Sequence, residues 1–129
     1  MISINIAGAF TFNFQLYFLK KNTMLKKYNV SLYDGVNLCK WNGGRINRDI
    51  NIQLKDIEKY NKMGISIGLT FTNHNIDLTD KKGLRLLEWL NYSQKKYNVI
   101  NTIILINEEF RVFLRENYNF KLKYSITGH

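Results

Sequence analysis

The segment Ile65-Ser66-Ile67-Gly68-Leu69-Thr70-Phe71-Thr72 runs directly into Asn73-His74-Asn75. It is mostly β-branched or apolar and stops at three turn-forming polar residues, so it predicts a strand. On its N-terminal side, Gln53 to Lys62 places Leu54 and Ile57 on the inner side of a helix, and Gly64 is positioned as its C-cap. On the other side, Thr79 is expected to cap a second helix with Asp80 in its first turn. Leu84, Leu87 and Leu90 then point inward, and Lys95-Lys96 occupy the last turn. A strand between two helices is the repeating unit of an α/β fold.

The unit recurs in both directions. Thr102-Ile103-Ile104-Leu105-Ile106 is a continuous apolar run, the pattern of a strand covered on both faces. Asn107 can cap a short helix with Glu108 and Glu109 in its first turn and Phe110, Phe113 and Leu114 inside. Leu122 to Ile126 predicts a last short strand before Thr127-Gly128-His129. Toward the N terminus, Val30-Ser31-Leu32-Tyr33 reads as a strand stopped by Asp34-Gly35. Ile2, Ile4 and Ile6 alternate with Ser3 and Asn5, the period of another strand. Between these two, Phe14, Tyr17, Phe18, Lys21, Leu25 and Tyr28 share one helical face.

The expected order is β-α-β-α-β-α-β-α-β: one α/β domain, residues 1–129, of repeated βα units with a mainly parallel sheet. In such folds ligands bind at the carboxyl ends of the strands. Those ends carry Asp34, Asn73 with His74, Asn107 with Glu108, and Thr127 with His129. Strand ends also become turns and helix caps, which accounts for polar residues there without any ligand.

Lys and Arg total 19 against 10 acidic residues, a formal net charge of +9. That excess favours a polyanionic partner: nucleic acid, a phosphorylated ligand or an acidic protein surface. The competing explanation is a well-solvated surface. The single cysteine, Cys39, has no partner for an intramolecular disulfide, and no apolar run approaches the ~20 residues of a membrane span. The N terminus lacks a signal-peptide pattern, so the expectation is a cytoplasmic protein with no membrane contact. Nothing in the sequence calls for a cofactor.

Three segments are more specific than periodicity. They are Trp41-Asn42-Gly43-Gly44-Arg45, the stretch from Gly64 ending in Thr70-Phe71-Thr72-Asn73, and Asn107-Glu108-Glu109-Phe110-Arg111-Val112-Phe113-Leu114-Arg115-Glu116-Asn117-Tyr118. Together they resemble a family of largely uncharacterised bacterial proteins that look like the U32-peptidase type of (βα) barrel. The resemblance covers the chain from about Val30 onward. Members of that family are longer, and they carry prolines where this chain has His74 and Asn119. What the resemblance implies is a partial, half TIM-like barrel, with no established activity attached. A half barrel leaves sheet edges open, so a homodimer is a further expectation.

The Asn42-Gly43-Gly44-Arg45 loop is the foremost site candidate. Paired glycines let backbone N–H groups approach an anion, and Arg45 and Arg48 can fork onto phosphate or carboxylate oxygens. The loop is neither a Walker A nor a Rossmann glycine motif. Lys20, Lys21, Lys26, Lys27 and Lys40 extend the positive region, with Lys55, Lys59 and Lys62 beyond it and Tyr28, Tyr33, Trp41 and Tyr60 interleaved. Charge tracks a phosphate backbone and rings stack on bases. The alternative is that the rings are core and the lysines only solvate helices.

Asp34 and Glu108 are candidates for a carboxylate pair across neighbouring strand ends, suited to acid–base work or Mg²⁺. His74 and His129 are weaker candidates, and no metal-ligand spacing is present. Cys39 near Lys40 and Arg45 is better explained as a structural thiol.

The leading expectation is therefore a non-catalytic or weakly catalytic binding protein for RNA or another polyanion. In a phage or mobile-element setting it would suit an inhibitor of a nucleic-acid defence system. The alternatives are an enzyme completed by homodimerisation, using Asp34, Asn73, His74 and Glu108 on an anionic substrate, and a module that docks on an acidic protein partner.

Overall fold

The structure, a computed structural model, describes residues 3–7, 29–35, 41 and 54–125. Five strands form a single parallel sheet: β1 (Ser3–Ala7), β2 (Asn29–Gly35), β3 (Ser66–Phe71), β4 (Thr102–Leu105) and β5 (Lys121–Tyr124), in the order β1-β2-β3-β4-β5. Three helices are interleaved with them: α1 (Leu54–Lys62), α2 (Lys81–Tyr97) and α3 (Glu108–Asn117). The α/β class and the parallel sheet expected from the strand–helix alternation are what is found. The helix expected to carry Phe14 through Tyr28 lies outside the described residues.

Every strand pairs with its sequence neighbour, and the register sorts side chains onto two unlike faces. Leu32 stands beside Ile67, Leu69 beside Ile103, and Phe71 beside Leu105. These residues are buried and form one core with Ile57 of α1, Leu86, Leu87 and Leu90 of α2, and Phe110 and Leu114 of α3. All three described helices thus pack on the same side of the sheet. Each large apolar side chain buried this way contributes about 1.5–3 kcal/mol relative to exposure.

Several local expectations need correction. β2 is not stopped by Asp34-Gly35: Gly35 pairs with Thr70, and the Asp34 carboxylate accepts from the Gly35 N–H at 2.8 Å within the strand. β4 is not covered on both faces, because Ile104 points away from the helices and is only half-buried. The cap of α2 is Asp80 rather than Thr79. Its side chain accepts from the N–H groups of Lys82 and Gly83, while the Thr79 hydroxyl donates to Asp77 at 2.6 Å. Both residue types cap well, and here Asp77 has already engaged the threonine.

The ends of the helices follow their sequence signals. Gly64 takes φ +81° after α1, where the Gly64 N–H reaches the Asn61 carbonyl at 2.9 Å and the Ile65 N–H reaches that of Tyr60 at 3.0 Å. This is a Schellman ending, with Ile65 and Tyr60 both buried beside it. Asn98 adopts φ 55° to close α2, and Asn107 caps α3 by accepting from the Phe110 N–H.

At the amino ends of β3 and β4 lies a buried polar network built on two asparagines. The side chains of Asn61 and Asn101 are fully buried and bond reciprocally, amide to amide, at 2.8 and 2.9 Å. Asn61 also donates to the Ile65 carbonyl and accepts from the Ser93 hydroxyl. Asn101 also donates to the Leu90 carbonyl and accepts from the Ile67 N–H. Each amide thereby uses two donors and two acceptor positions, its whole capacity. Gln94 extends the network by accepting from the Asn101 N–H and donating to the Asn119 carbonyl.

Candidate functional site

At the carboxyl ends of the strands, the structure draws the His74 loop to Asn107 but does not bring Asp34 and Glu108 together. β3 separates β2 from β4, so Asp34 and the start of α3 stand on strands that are not neighbours, about 10 Å apart at the usual strand spacing. The expected adjacency of Asp34 and Glu108 is therefore corrected. Asp34 also projects on the helix-covered face, while Glu108 sits three residues past β4, in the first turn of α3.

Glu108 has partners of its own. Arg111 Nε donates to it at 2.9 Å, a second Arg111 nitrogen forms an ion pair with the same oxygen, and the Tyr124 hydroxyl donates to the other oxygen. These donors, Arg111 foremost and then Tyr124, hold the Glu108 carboxyl down at about 2. The same contact raises the Arg111 guanidinium and the Tyr124 phenol above their ordinary values. A carboxylate ionised throughout the neutral range suits pairing with a cation and not proton transfer near pH 7.

The depressed value has a pH consequence. The stabilisation from this contact is fully present above the ordinary carboxylate value of 4.5 and disappears as pH falls through about 2. An NMR titration of the Glu108 carboxyl should show a midpoint near 2 that moves up toward 4.5 in Arg111→Ala. A midpoint already near 4.5 in the unsubstituted protein would contradict the contact.

His74 is exposed in the β3–α2 connection, and its backbone carbonyl accepts from the Asn107 side chain at 2.8 Å. That bond ties the His74 loop to the start of α3 through the main chain, not the imidazole. An open cleft beside it is lined by Asn75, Asp77, Asn107, Glu108 and Glu109, an acidic surface that repels anions. Among the described residues, no group of three or more His, Cys, Asp or Glu side chains is placed to hold a metal ion.

Trp41, expected among the anion-binding residues, is instead a core side chain. Its ring is 1% exposed, tilted against Phe110 at 5.0 Å between centroids and edge-on to Phe71 at 5.7 Å. Its Nε1–H donates to the Asp77 carbonyl at 2.8 Å, and its own carbonyl accepts from the Asn73 N–H. An indole enclosed this way packs the core and has no face for a base. Tyr60 is likewise buried. Lys55, Lys59 and Lys62 are exposed along α1. Lys20, Lys21, Lys26, Lys27, Lys40, Asn42, Gly43, Gly44, Arg45 and Arg48 lie outside the described residues, as do Cys39 and His129.

The sheet surface turned away from the helices was not among the sequence candidates. Alternation along each strand brings Ser3, Asn5, Asn29, Ser31, Tyr33, Ser66, Gly68, Thr70, Thr102, Ile104, Lys121 and Lys123 onto this one face. Among the described residues it carries two lysines and no acid. Two connected grooves run over it. One of about 400 Å³ lies toward the amino ends of the strands, between Ser3, Asn29, Ser66, Asn98 and Lys121. The other, about 290 Å³, is bordered by Tyr33, Gly68, Thr102, Ile104 and Lys123.

The small polar groups on this face are set by local bonds. Ser31 donates to Asn5 across the β1–β2 pair, the Ser66 hydroxyl donates to the Ile100 carbonyl at 2.6 Å, and Thr70 donates to the Asp34 carbonyl at 3.3 Å. Each of these hydroxyl oxygens keeps acceptor capacity while it donates. The arrangement offers hydrogen-bonding side chains at strand spacing, positive charge along one edge and a half-exposed phenol.

No family model matches this chain, and no curated protein or solved structure shows significant similarity to it. Among the described residues, no helix is long and apolar enough to cross a membrane.

Proposed function

We propose that this chain is a binding protein whose open sheet face takes RNA or another polyanion, on a scaffold equivalent to part of a (βα) barrel. The observation that carries this reading is the composition of that face: hydroxyl and amide side chains with Lys121 and Lys123, and no carboxylate among the described residues. The net charge of +9 supplies the long-range attraction.

The half-barrel relation is supported by the sequence-ordered strands and by the three described helices packing on one side. In a closed barrel of this kind the inner face is filled by layers of bulky branched residues. Here it carries Ser, Asn, Gly and Thr, which favours a wetted binding surface over closure against a second copy. The enzyme alternative has less support, because Glu108 is committed to Arg111 and Tyr124, and Asp34 lies on the other face.

Titration of the protein into labelled single-stranded RNA, duplex RNA and DNA at several salt concentrations tests the proposal. Affinity is expected to fall steeply with salt as counterions are released. Lys121→Ala/Lys123→Ala should flatten the slope of log K against log salt by about 1.4 for a single strand, roughly 0.7 per phosphate contact. Absence of binding at low salt would reject the polyanion reading.

A further inference from the structure

The open face carries more than charge, and its aromatic side chains narrow the class of polyanion: among the described residues Tyr33 stands within the groove, and Tyr124, whose hydroxyl is held by Glu108, borders its far edge. Tyr33 is 37% exposed in the middle of β2, and its described neighbours on this face, Ala7, Ser31 and Gly68, are small. Its neighbour across the β2–β3 pair is Gly68. A Cβ at that glycine would stand 3.1 Å from the Tyr33 Cβ and 3.7 Å from the Thr102 Cβ. The missing side chain therefore keeps the flank of the ring clear and forms the floor of the 290 Å³ groove. On the far side of that groove, three strands away, Lys123 borders the same space.

We infer that this groove binds single-stranded nucleic acid, with a base stacked on Tyr33 and neighbouring phosphates met by Lys121 and Lys123. The inference rests on the polyanion reading above and assigns its ligand class. A ring that is accessible on a flat, sparsely covered sheet is useful to a ligand with exposed π-faces. Single strands present them, whereas a duplex hides its base faces in its own stack and offers phosphates and groove edges. Inorganic polyanions have no ring to place there. Asn5, Ser31 and Thr102 line the same groove and are polar groups able to meet base edges without selecting one base strongly. Modest sequence preference follows, since stacking tolerates every base. The lysines, lying on an edge strand, also discourage edge-to-edge pairing. That role alone leaves nucleic-acid affinity independent of both lysines and of Tyr33.

The test uses the full chain, a labelled uridine oligonucleotide, the same oligonucleotide in a duplex, and inorganic polyphosphate as a ring-free polyanion. Tyr33→Ala is expected to weaken single-strand binding roughly 5- to 150-fold, with polyphosphate binding unchanged. Tyr33→Phe should retain most of the affinity, because stacking needs the ring and not the hydroxyl. Circular dichroism of the variants establishes that the fold is kept, as expected for a solvent-facing position. If the protein binds oligonucleotide and polyphosphate but Tyr33→Ala changes neither, or weakens both alike, the stacking assignment fails and the polyanion reading stands. Preference for the duplex also overturns the assignment. If neither oligonucleotide nor polyphosphate binds, the polyanion reading itself fails.

Discussion

Asn101→Ala is expected to destabilise the fold by about 3–5 kcal/mol, because it leaves several buried groups without partners at once. The Ile67 N–H loses its acceptor, the Leu90 carbonyl loses a donor, and half of the Asn61 amide is stranded. Each uncompensated group costs about 1–3 kcal/mol when water cannot replace the partner. Asn61→Ala should act in the same direction through Ser93, the Ile65 carbonyl and Asn101. The two effects are expected not to add, since either substitution breaks the same amide pair. A double-mutant cycle in urea should show a coupling of about 0.5–3 kcal/mol. A loss below about 1 kcal/mol for Asn101→Ala, set against the usual cost of a stranded buried group, would mean that the network contributes little.

The second large effect has a sign opposite to the usual rule. Within a helix, Gly→Ala ordinarily stabilises by about 1 kcal/mol. Gly83 sits in the first turn of α2, and a Cβ there would come within 2.4–2.5 Å of three Trp41 ring atoms. The ring has no room to retreat, being held by Phe71 and Phe110 and by its bond to the Asp77 carbonyl. Overpacking of this kind costs about 1–3 kcal/mol. Gly83→Ala should therefore lower the urea midpoint, and Trp41→Ala should lower it further, as expected for loss of a large buried ring. In the double variant Trp41→Ala/Gly83→Ala, the alanine at 83 should regain its ordinary benefit. A Gly83→Ala protein more stable than the parent would show that α2 can shift away from the indole.

The contrast between these two sites shows what a sequence discloses. Strands β3 and β4 and the capped ends of α1 and α3 were legible because apolar periodicity and Gly or Asn at the right offset act locally. The cap of α2 was misplaced by one residue because Thr79 and Asp80 are chemically equivalent until Asp77 engages one of them. The Asn61–Asn101 network left a fainter trace. Asn61 follows Leu54 and Ile57 along the inner stripe of α1, and Ser93 and Gln94 continue the stripe of Leu86 and Leu90 on α2. Polar residues at inward helical positions were the available signal, but their partners are set by tertiary packing.

The open sheet face was only half legible, and the Asn42-Gly43-Gly44-Arg45 loop lies outside the described residues. Attention to strand ends follows from the habit of parallel sheets, whose strands are usually apolar on both faces. In β1, β2 and β3 the alternation of Ile, Val, Leu and Phe with Ser, Asn, Tyr, Gly and Thr already separates a dry face from a wet one. Only the pairing register joins these half-strands into one surface with Lys121 and Lys123. Trp41, conversely, looked like a loop aromatic available to a ligand, and nothing near it in sequence announces Phe71, Asp77, Gly83 and Phe110 as its enclosure.

The sheet order also bears on how the chain assembles. Since β1 to β5 lie side by side in the order in which they are synthesised, every strand after β1 finds its first neighbour already made. Each new strand–helix unit closes only the interval back to the preceding strand, which keeps the sequence separation of pairings low for a parallel sheet. Growth can therefore proceed from one edge during translation, with each added helix covering the apolar side of the strands already laid down. Among the described residues no helix covers the polar side, so the apolar side is the one that has to be shielded as the sheet grows.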